Sequence, residues 1–234
     1  MDRRQFNSAS LTAACLGSAA LGRPAAARSL ADLSDAEASQ GLKAALEKGA
    51  VAAVAVLGKP DGFLGNAKVR IPLPGFLEDA AKLLRHTGQG KRIDELVLAM
   101  NRAAEAAVPM ARDLLVGAVR SMDARDARNI LTGGPTSVTE FFAGKTREPL
   151  RGRFEPVVAR AIAKVGLAER YDKVAGRAAG LGLLKKEDAN MQSYVTGKTL
   201  DGLFFVIGGE ERKLRDNPAA AGSALLKKVF GALK

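Results

Sequence analysis

The chain of 234 residues has one cysteine, one histidine, no tryptophan and an aromatic content of only 5%. A single cysteine excludes an internal disulfide, and one cysteine with one histidine is too few for the sites that hold zinc and most transition metals. The histidine, His86, falls at the end of a predicted helix, which is a favourable position for a basic residue at the negative end of the helix dipole. The sequence has no nucleophile motif and no glycine-rich phosphate loop with its lysine. We therefore expect no metal or other cofactor, assign no catalytic residue, and favour a non-enzymatic protein.

The first 27 residues have the three parts of an export signal. Arg3 and Arg4 supply the charged start, residues 9–21 form a weakly apolar run that is too short to span a bilayer, and residues 25–27 are a small-residue cleavage site. The paired arginines, followed by an aromatic at Phe6, favour the twin-arginine route, although Asp2 departs from its pattern. We expect cleavage after Ala27 and a periplasmic location.

Cys15 offers a competing interpretation of the same segment, because residues 11–15 loosely resemble a lipoprotein site. The apolar run continues past the cysteine instead of stopping there, so this interpretation is disfavoured. A discarded signal leaves a chain without cysteine, whose stability depends on packing.

The chain is strongly basic, with 36 Lys and Arg against 25 Asp and Glu, a net charge of +11. Removing the signal takes away three bases and one acid, which leaves 33 against 24 and a net charge of +9. Basic proteins often bind nucleic acid, but export disfavours that partner. Two interpretations of the positive charge remain. The protein binds an anionic membrane surface or another envelope polyanion, or its basic residues form a solvated surface without a specific partner.

The hydrophobic periodicity predicts an all-α fold. We expect a tether at 28–33 and then a single compact multi-helix domain over 34–234, with kinked helices and one ordered Pro/Gly-rich loop or short extended segment. The predicted helices are 35–57 (after a capping box at 34–37), 75–86, 93–122, 123–131, 137–146, 149–165, 168–181, 187–214 and 218–233. Pro109 should kink or split the third of them.

The loop at residues 59–75 contains three prolines and three glycines. The residues before Pro72 and Pro74 are pushed out of the α region, so the stretch 69–73 should be extended. Phe63, Leu64, Ile71 and Leu73 are too apolar for a solvated linker. We therefore expect this loop to pack on the helices.

One polar pair stands out within the predicted helix 93–122. Asn101 and Glu105 are separated by four residues, share a helix face, and lie beside an apolar stripe. Together with Arg70 from the loop they could line an internal pocket. The other interpretation is a buried network that fixes the loop to the helix, since buried charges must be paired.

The C-terminal segment 223–234 is predicted to be a basic amphipathic helix. Its apolar face consists of Leu225, Leu226, Val229, Phe230 and Leu233, and lysines flank that face. Such a helix can lie in an anionic membrane interface, with Lys227, Lys228, Phe230 and Lys234 as the contacting residues. It can equally dock on the core with its lysines in water.

Five segments, at 58–66, 69–74, 95–105, 130–134 and 199–204, carry a resemblance to the exported bacterial family called domain of unknown function 4197. The resemblance extends from about Leu33 to the C-terminus. It implies an exported helical protein and brings no established activity or catalytic residue. The motif residues Asp61, Asn66, Arg70, Asn101 and Glu105 are present here, and we take them as candidate ligand-binding residues.

These observations predict a non-enzymatic binding protein of the periplasm or envelope, whose ligand is a lipid or another amphiphile. The alternative is a structural or interaction protein that uses the C-terminal helix at the membrane surface. A hydrolase that uses Asp61, Arg70 and Glu105 is a third, weaker hypothesis.

Overall fold

A computed structural model describes residues 35–86, 88, 90–164, 169, 171–172, 180 and 190–217. None of these residues lies in a strand, and seven α-helices have described bounds: α1 Asp35–Leu57, α2 Gly75–His86, α3 Gly90–Ala107, α4 Ala111–Arg120, α5 Ala124–Thr132, α6 Ser137–Ile162 and α7 Met191–Asp216. The predicted all-α fold is confirmed. The export signal, the tether, the cap at Ser34 and the helix at 218–233 lie outside the described residues, as does most of the helix at 168–181.

The two longest helices, α6 and α7, pack against each other and organise the domain. Helix α3 packs on α6, and α1 packs on both α7 and α4, so the helices enclose one continuous apolar core. Ala45, Ala50 and Ala53 of α1 are buried. Small side chains of this kind let neighbouring helices approach closely, as expected from the alanine-rich sequence of α1.

The predicted break at Pro109 is present. Helix α3 ends at Ala107, a 3-10 turn covers Val108–Met110, and α4 begins at Ala111. Proline has no N–H for the α-helical hydrogen bond and clashes with the preceding turn. The end of α1 lies against this break, because a Cβ placed on Gly58 would be 3.0 Å from Cγ of Pro109.

The loop between α1 and α2 is ordered and packed on the helices, as the sequence predicts. Phe63 and Ile71 are buried, and successive backbone hydrogen bonds fold residues 58–70 into turns. Asp61 has a positive φ of 64°, a conformation that Asp and Asn tolerate better than most residues. Residues 70–74 have no regular secondary structure. The loop is therefore a folded part of the domain.

The prediction of two helices at 137–146 and 149–165 is wrong, because α6 is continuous from Ser137 to Ile162 through Pro149 and Pro156. Both prolines are exposed, and so are Lys145 and Gly152, whose carbonyls lose their helical N–H partners. Because both residues are on the exposed side of the helix, water can bind these carbonyls in place of the missing N–H groups, which reduces the cost. Every fourth side chain is buried across both prolines, namely Val138, Phe142, Thr146, Leu150, Phe154, Val158 and Ile162. Tertiary packing thus holds the helix together.

Helices α5 and α7 begin at side-chain caps. The Asp123 carboxylate accepts a hydrogen bond from the backbone N–H of Asp126 (2.7 Å), and the Asp126 carboxylate accepts one from the N–H of Asp123 (3.4 Å). The bond from the Asp126 backbone lowers the pKa of Asp123. Asn190 accepts from the N–H of Ser193 at 2.7 Å, so α7 begins at Met191, four residues later than predicted.

Candidate functional site

Glu105 of α3 connects the loop to the helical core. Its Oε1 atom accepts hydrogen bonds from the backbone N–H groups of Phe63 and Leu64, both at 3.1 Å. Its Oε2 atom lies 2.6 Å from Nη1 of Arg102, whose Nη2 lies 2.8 Å from Oδ1 of Asp61. The Glu105 side chain is only 5% exposed, whereas those of Arg102 and Asp61 are 41% and 62% exposed. Hydrogen bonds to Glu105 and Asp61 raise the pKa of Arg102 above its ordinary value.

Asn101, one turn before Glu105, holds the other end of the loop. Its Oδ1 atom accepts from the N–H of Ile71 (2.9 Å), and its Nδ2 atom donates to the carbonyls of Ile71 (2.9 Å) and Val97 (2.8 Å). Asn101 is fully buried. Its amide therefore pairs with both backbone groups of Ile71, as a neighbouring strand would.

Helix α7 contacts the opposite side of the loop. The hydroxyl of Tyr194 donates to the carbonyl of Pro72 at 3.1 Å. A Cβ on Gly202 would lie 2.7 Å from Cε1 of Phe63 and 3.4 Å from Cβ of Val69. Only a glycine lets the buried Phe63 ring approach α7 this closely. The loop is therefore held between α3 and α7.

Asn66 organises the turn between these two attachments. Its side-chain oxygen accepts from the N–H of Lys68 at 3.1 Å, and its carbonyl accepts from the N–H groups of Val69 (3.0 Å) and Arg70 (2.8 Å). Asn66 therefore sets the backbone conformation of residues 68–70.

Apart from Asn66, which organises the turn, the structure separates the candidate residues into two groups. Asp61, Asn101 and Glu105 belong to a network between the loop and α3, which we call the Glu105 network and which also includes Arg102. Its contacts are those of the buried-network interpretation. Arg70 is exposed and does not take part in it. A ligand-binding role for these residues remains a prediction.

Arg70 instead lines a cleft between the loop and α7, with a volume of about 270 Å³. We call it the loop–α7 cleft. The loop contributes residues 68–72, and α7 contributes Lys198, Asp201, Gly202 and Phe205. Phe205 is 46% exposed, a high value for a large apolar side chain. The cleft thus combines cationic groups with apolar surface.

The electrostatics of the loop–α7 cleft are dominated by cations. Its carboxylate, Asp201, forms a 2.6 Å ion pair with Arg147 of α6, whose guanidinium lies 5.7 Å from the centre of the Phe204 ring. The Nζ atom of Lys198 lies 5.8 Å from the centre of the Tyr194 ring. Within the described part of the chain, Lys68, Arg70 and Lys198 form no ion pair with a carboxylate.

A second buried carboxylate, Glu211 of α7, acts at the start of α6. Its oxygens accept from the backbone N–H groups of Val138 (3.2 Å) and Thr139 (3.3 Å). Arg215 lies 2.9 Å from the same carboxylate and donates to the hydroxyl of Ser137 at 2.8 Å. A negative charge at a helix N-terminus is stabilising. Glu211 therefore supplies the capping acceptor that Thr136, the N-cap residue, does not provide.

Four residues of the observed site were not among the site residues predicted from the sequence: Arg102, Lys198, Phe205 and Glu211. Arg102 lies three residues before Glu105, so the rule for helical neighbours would have found that pair. Glu211 continues the buried face that contains Ile207 four residues earlier, and a carboxylate on such a face requires a partner. Phe205 belongs to the dense apolar run 203–207, which the sequence predicts to be core or the wall of an apolar cavity. Only the tertiary fold brings Phe205 and Lys198 to the loop.

Two further clefts occur among the described residues. One, of about 540 Å³, lies between α5 and α6 and includes Asp126, Glu140, Phe141 and Lys145. The other, of about 220 Å³, lies between α1 and α7 and includes Lys48, Ala52 and Leu214. Neither contains a candidate residue from the sequence.

Among the described residues, no cluster of three or more potential ligand side chains could hold a metal ion. In the same part of the chain, none of the helices combines the length and hydrophobicity needed to cross a membrane. His86 is in the last turn of α2. The membrane-surface candidates Lys227, Lys228, Phe230 and Lys234 lie outside the described residues.

The fold and the site define an all-helical domain with an ordered loop held between two helices. The chain matches the family described as Protein of unknown function (DUF4197) over residues 32–231, and it belongs to that family. Neither a curated protein nor a solved structure matches it.

Proposed function

We propose that the protein is an exported, non-enzymatic binding protein of the periplasm or envelope, and that it binds an anionic amphiphile in the loop–α7 cleft. Lys68, Arg70 and Lys198 bind the charged group. Phe205 and the apolar wall at Val69 contact the hydrocarbon part. This proposal retains Arg70 from the sequence candidates and gives Asp61, Asn66, Asn101 and Glu105 the role of holding the loop in place.

One observation carries the proposal: three exposed cations without a described carboxylate partner share a cleft with a half-exposed phenylalanine. Ligand sites are typically concave, partly apolar, and supplied with a few convergent polar groups. A single solvated lysine or arginine does not indicate a binding site. Three of them on two different elements, beside exposed aromatic surface, match the two parts of an amphiphile.

The contacts of Glu105 disfavour the hydrolase hypothesis, in which this residue is catalytic. A catalytic carboxylate must reach its substrate to exchange a proton. Both oxygens of Glu105 are engaged, one with two backbone N–H groups and one with Arg102. The residue is also buried. Its position supports a role in maintaining the loop.

The test is native mass spectrometry of the protein as its own cells process it, purified without detergent from their periplasmic fraction, followed by organic extraction. We expect a reproducible additional mass that extraction identifies as an anionic amphiphile. The double variant Arg70→Ala/Lys198→Ala should lose this mass. The control Arg212→Ala removes an exposed cation from the same helix outside the cleft and should retain it. A bare polypeptide mass in the unchanged protein would contradict the proposal.

The alternative function, a structural or interaction protein at the membrane surface, depends on the basic segment 223–234. It is supported by the sequence pattern of that segment and by the net positive charge. Deleting 223–234 tests it. Loss of binding to anionic vesicles with an unchanged circular dichroism spectrum would favour the alternative, whereas retained binding would favour the cleft.

A further inference from the structure

We infer that the charged group recognised by the loop–α7 cleft is a doubly negative phosphate monoester rather than a carboxylate. This inference rests on the proposed function and specifies the chemical class of its ligand.

The charge of the cleft exceeds that of a single carboxylate. Lys68, Arg70 and Lys198 bring three positive charges, and the negative charge of Asp201 is already paired with Arg147 at 2.6 Å. A bound carboxylate would offset one of the three positive charges, and a phosphate monoester would offset two. Arginine also offers a planar fork that binds phosphate oxygens in pairs, and lysine binds phosphate as a point charge.

The backbone of the loop cannot supply the anion's donors. The N–H of Lys68 donates to the Asn66 side chain, those of Val69 and Arg70 donate to the Asn66 carbonyl, and that of Ile71 donates to Asn101. Pro72 has no N–H. A phosphate in this cleft must therefore be bound by side chains, so removing the side-chain charges should abolish binding rather than weaken it slightly.

The size of the cleft indicates which part of the ligand it holds. A volume of about 270 Å³ accommodates a phosphate group and the atoms next to it, and the rest of an amphiphile must leave the cleft. Phe205 lies at the cleft and is 46% exposed. The hydrocarbon chain would cross this ring, where contact removes apolar surface from water.

The cations on the loop are held in position before a ligand arrives. Arg70 directly precedes Ile71, whose two backbone groups both pair with Asn101. The turn at Asn66 fixes Lys68 and Arg70 from the other side. Less loop entropy is then lost on binding, which is a general source of affinity. Asn66 and Asn101 act as positioning residues for the phosphate site.

The experiment compares two ligands with the same chain and different head groups, dodecyl phosphate and dodecanoate, below their micelle concentrations. Inorganic phosphate is a third probe, which distinguishes a lipid-like source from the free ion. Binding to the delipidated full chain is measured by isothermal titration calorimetry at pH 7.5. We expect dodecyl phosphate to bind about tenfold or more tightly than dodecanoate, because each additional charge-assisted contact contributes on that scale. Inorganic phosphate should bind more weakly than dodecyl phosphate.

The pH dependence gives a second readout. The second ionisation of a phosphate monoester has a pKa of about 6, so the affinity for dodecyl phosphate should fall as the pH is lowered from 7.5 to 5.5. The affinity for dodecanoate should change little over that interval. Equal pH profiles for the two ligands would overturn the inference.

Variants connect the binding to the cleft. Arg70→Ala and Lys198→Ala should each lower the affinity for dodecyl phosphate about tenfold or more. Arg70→Lys, which keeps the charge but loses the planar fork, should lie between Arg70→Ala and the unchanged protein. Arg212→Ala is the control and should bind normally. All substituted side chains are exposed, and circular dichroism verifies that each variant is folded.

The outcomes separate this inference from the proposed function. If dodecanoate binds as tightly as dodecyl phosphate and both depend on Arg70 and Lys198, the cleft binds amphiphiles and the phosphate inference is wrong. If the binding of neither ligand depends on Arg70 and Lys198, both the proposed function and the phosphate inference are wrong. If inorganic phosphate binds as tightly as dodecyl phosphate, the site takes free phosphate, which contradicts both the monoester inference and the amphiphile proposal.

Discussion

Replacing Glu105 by alanine tests whether the loop is held by the buried carboxylate. The change removes the acceptor of two backbone N–H groups, those of Phe63 and Leu64, and one half of the ion pair with Arg102. Because Arg102 is 41% exposed and keeps its contact with Asp61, water can solvate the guanidinium that remains. The main cost therefore comes from the two N–H groups.

The magnitude follows from the burial of these donors. An unsatisfied buried donor costs about 1–3 kcal/mol. The Phe63 N–H is buried and bears this cost in full, whereas the Leu64 N–H is partly buried and can bind water. We expect Glu105→Ala to lower the free energy of unfolding by about 2–4 kcal/mol. Glu105→Gln keeps one acceptor oxygen and should cost about 1 kcal/mol.

The assay is urea unfolding followed by circular dichroism, combined with hydrogen exchange of the Phe63 and Leu64 amides. Asp94→Asn is the control, because it breaks an ion pair of similar length, 2.8 Å to Arg85, between side chains that are 47% and 69% exposed. Exposed pairs of this kind contribute about 0–1 kcal/mol. Faster exchange at Phe63 and Leu64 in Glu105→Ala should accompany the lost stability. Equal effects of Glu105→Ala and Asp94→Asn would refute the argument.

Three further predictions concern other contacts of the fold. In urea unfolding, Glu211→Ala should cost about 2–4 kcal/mol, because it leaves the Val138 and Thr139 N–H groups without their acceptor. The control Glu210→Ala breaks an ion pair with Lys213, whose side chain is 74% exposed, and should cost less than about 1 kcal/mol; similar losses for the two variants would contradict the capping role. Gly202→Ala places a Cβ 2.7 Å from the Phe63 ring and should lower the free energy of unfolding by about 1–3 kcal/mol. Gly197→Ala, with open space around its Cβ, should raise that free energy by up to about 1 kcal/mol; an increase for both variants would show that the Phe63 ring moves aside. Because the pKa of Asp123 is lowered, its contribution to the free energy of unfolding is complete above the ordinary Asp pKa and is lost as the pH falls through the lowered value. The stability difference between the unchanged protein and Asp123→Asn should therefore shrink below about pH 4. A constant difference from pH 7 to pH 2 would exclude the charged cap as the source of that difference.

Local rules predicted most of the helix boundaries in the first half of the chain. The observed ends at Leu57 and His86 and the observed start at Gly75 agree with the approximate bounds that were predicted, because a glycine or a proline-rich segment lies next to each of these boundaries. The split at Pro109 followed from the missing N–H. The same rule failed at Pro149, because it ignores which side of the helix the proline occupies. That side is set by the packing of α6 on α3 and α7, which the local sequence does not encode.

The site was predicted in part. The spacing of Asn101 and Glu105 placed both on one helix face, and both contact the loop as the buried-network interpretation requires. The expected cation was Arg70, whereas the cation on Glu105 is Arg102. The cleft around Arg70 could not be predicted from local sequence. Lys198 and Phe205, which line the cleft with Arg70, lie more than 120 residues away in the sequence and reach it through tertiary folding alone.

The two sides of the loop separate stability from binding, and this separation can be measured. On the inner side, Glu105 and Asn101 bind backbone groups that would otherwise be buried without partners, so changes there act on the free energy of unfolding. On the outer side, Arg70 has no described ion-pair partner and is exposed, so Arg70→Ala should leave unfolding nearly unchanged and act on ligand affinity alone. Glu105→Gln should have the opposite effect: it should lower the free energy of unfolding, and the folded protein should still bind the ligand. Ligand affinity is kept because Asn101 and Asn66 continue to hold residues 68–71. If Arg70→Ala destabilised the protein as much as Glu105→Gln, Arg70 would belong to the structural network and the cleft would lose its central cation.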